Sequence, residues 1–182
     1  MRTSSVSRGF AVPHSAIAVF TANSVAEILE VGGSVSWVVA EKQARRREFL
    51  VCIRNARDVT FHDHEPHGTA FLIGRISDLE PYGVDKKGMQ RWVIKISDYA
   101  LTDYPNKWGA WRNPVKYITL EELGIDLSKL KFTPMPAPTK ILTPPPPPDR
   151  PKTGALTIAE AKAGLALQFG VPAEAIDILI RG

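Results

Sequence analysis

The stretch Arg91-Trp-Val-Ile-Lys-Ile96 constrains the fold more than any other in the chain. Trp92, Ile94 and Ile96 alternate with Arg91, Val93 and Lys95, a period of two that puts three large apolar groups on one side of an extended strand. Upstream, between Gly68 and Ser77, lies a second apolar run, Ala70-Phe-Leu-Ile-Gly-Arg-Ile76. The loop Tyr82-Gly-Val-Asp-Lys-Lys-Gly88 separates the two. Two such runs around a polar, glycine-containing loop predict an antiparallel pair, 68–77 with 90–97. Gly74 inside the first run predicts a bulge or a close backbone approach.

Ser24-Val-Ala-Glu27 is a capping box, so the spacing predicts a helix over 25–31 stopped at Gly32-Gly33. Val35 to Ala40 reads as a strand carrying Trp37, and Phe49-Leu-Val-Cys-Ile53 as a buried strand. The charged run Glu41 to Glu48 between them reads as a solvated turn of helix or a loop. Pro105, Asn106 and Gly109 predict irregular chain over 99–112. Asn113-Pro114 then favours extended backbone leading into a short strand, Val115-Lys-Tyr-Ile118. Thr119-Leu-Glu-Glu122 is a second capping box, opening a short helix that Gly124 ends.

Nine of the 15 prolines fall between Pro134 and Pro151, five of them consecutive from Pro144. Residues 133–154 are therefore expected to lack helix and sheet and to act as a semi-rigid spacer. Beyond it, Thr157-Ile-Ala-Glu160 is a third capping box, and Ile158, Ala161, Leu165 and Phe169 recur at helical spacing up to Gly170. Ile176, Ile178 and Ile180 alternate as a terminal strand would. A helix and a strand in 28 residues cannot enclose a core, so this unit docks on the main domain, pairs with another copy, or adds a strand to a partner. The expected organisation is a poorly ordered leader over 1–20, an α+β domain over 21–132, the spacer over 133–154 and the appended unit over 155–182.

A single cysteine, Cys52, excludes a disulfide framework and a thiolate zinc site, and suits a reducing cytoplasm. No apolar run approaches the roughly 18 residues of a membrane span, and Pro13 and His14 break up any signal-like segment. Three of the four histidines, His62, His64 and His67, lie close together with Asp63 and Glu65. Pro66 and Gly68 mark that stretch as a turn and no further ligand is evident, so no metal and no cofactor are expected. Nor does any Ser/His/Asp or Cys/His arrangement, phosphate loop or carboxylate pair stand out, and the expectation is a protein that is not an enzyme.

Between residues 86 and 116, Lys86, Lys87, Arg91, Lys95, Lys107, Arg112 and Lys116 face only Asp98 and Asp103, with Trp108 and Trp111 interleaved. Basic residues mixed with aromatic ones suit single-stranded or flipped nucleic acid. Trp92, alternating with isoleucines, reads as core; Trp108 and Trp111 read equally as pocket or core.

Three segments, Ala70 to Ile76, Arg91 to Ile96 and Arg112-Asn-Pro-Val-Lys-Tyr-Ile-Thr-Leu-Glu-Glu122, together resemble the EVE branch of the PUA-like superfamily over roughly 35–125. The family's opening Tyr-Trp-x-x-Lys-x-Glu-Pro is represented only in part, by Ser36-Trp-Val-Val-Ala-Glu41. The resemblance implies a small, mainly antiparallel β-barrel with short flanking helices, and an aromatic pocket that takes a modified or flipped base of DNA or RNA. The residues expected to serve it are Trp37, Lys86, Lys87, Trp108, Trp111, Arg112, Lys116 and Tyr117. The alternative is an adaptor whose last helix and strand dock a partner or a second copy.

Overall fold

A computed structural model describes residues 13–56, 65–109, 111–144 and 157–179. It divides into two units, Met1–Pro146 and Pro147–Gly182.

In the first unit the expected antiparallel pair is present and longer than the sequence pattern suggests. β4 (Ala70–Val84) runs against β5 (Gln90–Tyr104), with Ile76 opposite Ile96 and Leu79 opposite Ile94. Residues 99–104 are thus strand, not irregular chain: Tyr99 pairs with Gly74, Leu101 with Leu72 and Tyr104 with Ala70. Four register shifts interrupt the ladder. Each bulge moves side chains off a strict alternation, and that hides the strand from a period-two reading. Asn106, at φ 55°, follows Pro105 just beyond the strand. Gly74 is a site of close approach, since a Cβ there would come within 2.6 Å of Ile96 Cδ1.

Before them come β1 (Ser15–Thr21), α1 (Val25–Val31), β2 (Gly33–Trp37), α2 (Glu41–Ala44) and β3 (Phe49–Arg54). After them come β6 (Val115–Thr119) and β7 (Thr133–Pro134). The sheet order is β2-β5-β4-β3-β1-β6, with β7 beside β5. Only the β1–β3 pairing among these ladders is parallel.

β1 corrects the leader assigned to 1–20. Ala16, Ile17, Ala18 and Val19 are fully buried between β3 and β6. A strand covered on both faces reads as an unbroken apolar run rather than an alternation, and Ala16 to Phe20 is one. Residues 1–12 lie outside the described residues.

α1 forms as its capping box dictates. Glu27 N–H donates to Ser24 Oγ at 3.1 Å, Ser24 N–H donates to Glu27 Oε2 at 2.7 Å, and Gly32 closes the helix at φ 76°. β2 ends earlier than expected: Ser36 takes φ 68°, the register shifts between Ser34 and Trp37, and Val38 to Ala40 leave the ladder. The second capping box also forms, through Thr119 N–H to Glu122 Oε2 at 2.8 Å and Glu122 N–H to Thr119 Oγ1 at 3.2 Å. It closes only a turn, not the expected helix, because Gly124 at φ 64° diverts the chain at once.

The two faces of the sheet carry separate cores. Ile17, Val19, Leu50, Cys52 and Ile94 pack on one with Trp37 and Trp92; Ala16, Ala18, Val51, Ile53 and Ile73 pack on the other with Leu120 and Leu123. The start of the spacer is tied to this unit, correcting the expectation of no regular structure from 133. Thr133 and Pro134 pair with Tyr99 and Asp98. Met135 packs on the first core, and the N–H groups of Thr139 and Lys140 donate to Glu30 O at 2.9 and 3.0 Å.

In the second unit α3 (Ile158–Phe169) starts at the Thr157/Glu160 capping box and ends at Gly170, φ 63°. A 3-10 turn, Ala173–Ala175, comes next, and 176–179 form no strand. An alternating apolar pattern needs a neighbouring strand to satisfy its backbone, and none of the described strands supplies one. Ile180 lies outside the described residues. Among the described residues no helix is long and apolar enough to cross a membrane.

Candidate functional site

The aromatic and basic residues singled out in the sequence fall into three places around β6. The first is an aromatic cluster. Trp108 stacks on Phe20 with ring centroids 4.4 Å apart and planes at 6°, and Trp111 meets Trp108 edge-on at 4.8 Å. His67 closes on Phe20 edge-on at 5.1 Å. Two backbone bonds, Gly68 N–H to Arg54 O at 2.9 Å and Lys107 N–H to Gly68 O at 2.8 Å, anchor the loop bearing Trp108 to the end of β3. Trp108 and Trp111 are half-buried, resting on the second core yet open to solvent. The choice between pocket and core thus resolves into a surface shelf. Lys116 Nζ sits 5.5 Å over the Trp111 ring, and Lys107 Nζ sits 5.7 Å over that of Tyr104. Both are cation–π distances, so positive charge borders the aromatic surface. Arg112 is exposed beside Trp111 in sequence.

The second place is the seam between the two ends of the sheet. The backbone ladder does not join β2 to β6. Tyr117 of β6 instead reaches over to Ala40, just past β2: Ala40 N–H donates to its hydroxyl at 2.8 Å, and the hydroxyl lies 3.4 Å from Ala40 O. Arg47 covers the Tyr117 ring at 5.3 Å. Beside this clasp is a cleft of about 610 Å³, lined among others by Val38, Val39, Met89, Asn113, Lys116 and Tyr117.

The third place is the β4–β5 hairpin tip, where Lys86 and Lys87 are exposed. Asp85 organises it: its Oδ1 accepts from the N–H groups of Lys87 and Met89, both at 2.9 Å, and its Oδ2 accepts from Arg91 Nη2 at 2.7 Å. The Met89 N–H above all, joined by the Lys87 N–H and the Arg91 guanidinium, holds the Asp85 carboxyl below the usual aspartate range against the opposing effect of burial.

Trp37 does not join the other tryptophans. It belongs to the first core, is 8% exposed, stands opposite Trp92 and donates its indole N–H to Ser34 Oγ at 2.8 Å. Satisfied within β2, it is a core residue. Phe20 falls within the segment expected to be leader, and its place at the end of the apolar run Ala16 to Phe20 is the signal that marks it.

His62 and His64 lie outside the described residues. Glu65 pairs with Arg54 at 2.9 Å, and His67 Nδ1 accepts from Ala56 N–H at 3.3 Å. Among the described residues no cluster of three or more histidine, cysteine or acidic side chains is arranged to hold a metal. Cys52 is buried, and its thiol is pushed up to about 12 by that burial, Arg54 and Ser34 offsetting it in part. No protein-family profile matches the chain, and neither a curated protein nor a solved structure matches it.

Proposed function

We propose that the first unit is a non-catalytic nucleic-acid-binding module, related to the EVE branch of the PUA-like superfamily, that seats an unpaired or modified base on the Trp108–Trp111 shelf. The observation that carries this reading is the half-exposed aromatic cluster with Lys116 5.5 Å over Trp111. Aromatic faces hold bases of any sequence, and neighbouring cations hold the phosphates. In this reading Phe20 backs the shelf in place of Trp37. Lys116 and Arg112 stand next to it, and Lys86 and Lys87 add charge from the hairpin tip. In this reading the open sheet stands where the family has a barrel, with Tyr117 bridging from β6 to Ala40.

Fluorescence anisotropy with single-stranded, duplex and base-modified oligonucleotides across a salt series tests it. Lys116→Ala and Arg112→Ala should weaken binding to all sequences and flatten the salt dependence, each removing about one phosphate contact. Trp111→Ala should weaken binding by about 1–3 kcal/mol per stacked base. Trp37→Phe should leave affinity unchanged. Equal binding by an unrelated protein of the same charge would refute the reading.

The adaptor reading is favoured by a different observation. α3 leaves Leu167 87% and Phe169 68% exposed, and buries none of its residues. An apolar helix of this kind suits docking to a partner. Loss of a co-purifying partner or of self-association on Leu167→Lys and Phe169→Lys would support it.

A further inference from the structure

The outer edge of β6, where the ladder does not continue to β2, has the backbone chemistry of a strand without a neighbour. The Tyr117–Ala40 clasp brings the segment Val38–Ala40 and β6 to the same cleft. Ala40 itself has extended backbone, φ −75° and ψ 103°.

The register tells which groups face the gap. Phe20 N–H donates to Pro114 O at 2.9 Å and Leu120 N–H to His14 O at 3.0 Å, while Ala18 pairs with Lys116 and Ala16 with Ile118. In an antiparallel ladder alternate residues bond to the neighbour, so Lys116 and Ile118 spend their backbone groups on β1. Val115, Tyr117 and Thr119 turn theirs outward. The side chains of Asn113 and Glu122 take the outer N–H groups of Val115 and Thr119, at 3.1 and 2.8 Å. Among the described residues no side chain caps the N–H of Tyr117 between them. Val39 and Val115 bring apolar surface to the gap, and Lys116 brings positive charge to its rim.

We propose that this cleft binds an extended peptide from a partner protein, added as a strand beside β6. Its apolar side chains point in towards Val39 and Val115, and its acidic side chains alternate with them and point out towards Lys116. Main-chain bonds to Tyr117 supply affinity and the alternation supplies selectivity, as in other strand-addition complexes. The cleft lies against the first core and the aromatic shelf against the second, and the two share Lys116.

The test titrates the full-length protein with a labelled peptide, acetyl-Thr-Val-Glu-Val-Asp-Val-Thr-amide, followed by anisotropy and by amide exchange. Saturable binding with increased protection of the Tyr117 amide is expected. A peptide N-methylated at its central valine keeps the side chains and should bind at least tenfold more weakly, whatever any protein variant does to folding. A lysine-for-acid version should also bind more weakly. Binding unaffected by N-methylation, no saturable binding, or protection of Tyr117 by a β6–β6 dimer that the peptide does not dissociate would each overturn the proposal.

Discussion

The hydroxyl of Tyr117 on β6 holds the backbone of Ala40, just past β2 and 77 residues away in sequence, where no ladder joins the two strands. Ala40 N–H has its partner in a side chain, so that bond can be removed without touching the ladder. Tyr117→Phe preserves the ring beneath Arg47 and should cost about 0.5–1.5 kcal/mol, the net worth of one such hydrogen bond. Urea denaturation should show a lower midpoint with an unchanged slope. Amide exchange should show the loss concentrated at 38–40 and β6.

Two glycines in the sheet make unequal demands. A Cβ on Gly33 would meet Ile94 O at 2.3 Å, a backbone atom; a Cβ on Gly74 would meet the Ile96 side chain at 2.6 Å. A side chain can change rotamer, whereas a backbone carbonyl moves only with its ladder. Gly74→Ala should cost about 1–3 kcal/mol, the usual range for overpacking. Gly33→Ala should cost more and loosen the β2–β5 pairing. Comparison of thermal midpoints ranks the two, and Gly74→Ala combined with Ile96→Val should recover part of the loss.

Arg54 is a charged group 1% exposed at the end of β3. Its guanidinium donates to Ala22 O at 3.2 Å, Asn23 O at 2.8 Å and Glu65 at 2.9 Å, and lies 4.1 Å over the Phe71 ring. One planar fork thus ties the β1–α1 connection to the chain before β4. Lysine has no second arm to serve these acceptors and cannot stack in the same way. Arg54→Lys should therefore destabilise by on the order of 2 kcal/mol, comparable to leaving one buried acceptor unpaired. Denaturant unfolding of the variant checks this.

The local signals in the sequence were the legible ones. The Ser24/Glu27 and Thr157/Glu160 boxes each mark a helix start because their geometry involves only four neighbouring residues. The Thr119/Glu122 box formed equally well yet opened no helix, since a box fixes the first turn and has no hold on the second. β1 was illegible because burial on both faces erases alternation, and with it went Phe20 and the shelf it backs. Trp37 and Trp111 look alike in sequence. Ser34 satisfies the indole of Trp37 inside the core, whereas Trp111 lies under Lys116 at the surface, a difference set by a bulge at Ser36 and by a pairing of distant strands.

Cys52 offers a reporter of the first core. Its thiol is raised to about 12 in the folded protein, against about 8.5 in an unfolded chain. A raised folded value means that its contribution to stability is complete below about 8.5 and is lost as the pH climbs towards 12. At neutral pH a disulfide reagent should react with Cys52 only at the rate of opening, and at once in denaturant. Cys52→Ala should flatten the alkaline decline in stability.

The hairpin tip carries an acid-sensitive contact of its own. Asp85 accepts the N–H groups of Met89 and Lys87 and the Arg91 guanidinium, and these hold its carboxyl below the ordinary aspartate value. A depressed folded value contributes above the unfolded value, about 3.9, and that contribution disappears as the pH falls through the lower folded value. The tip should therefore stay ordered through the ordinary aspartate range and fray only as the pH falls through the lower folded value, with Lys86, Lys87 and Met89 losing their fixed positions first. Amide chemical shifts of Lys87 and Met89 monitored from pH 6 to pH 2 should trace one titration with a midpoint under 3.9. Asp85→Asn keeps an acceptor of the same shape but cannot titrate. It should remove that transition and loosen the tip at every pH, because the ion pair with Arg91 at 2.7 Å is lost. If the lysines of the tip contribute to oligonucleotide binding, the same variant should weaken it modestly without changing the salt slope, since both cations remain and only their placement is relaxed.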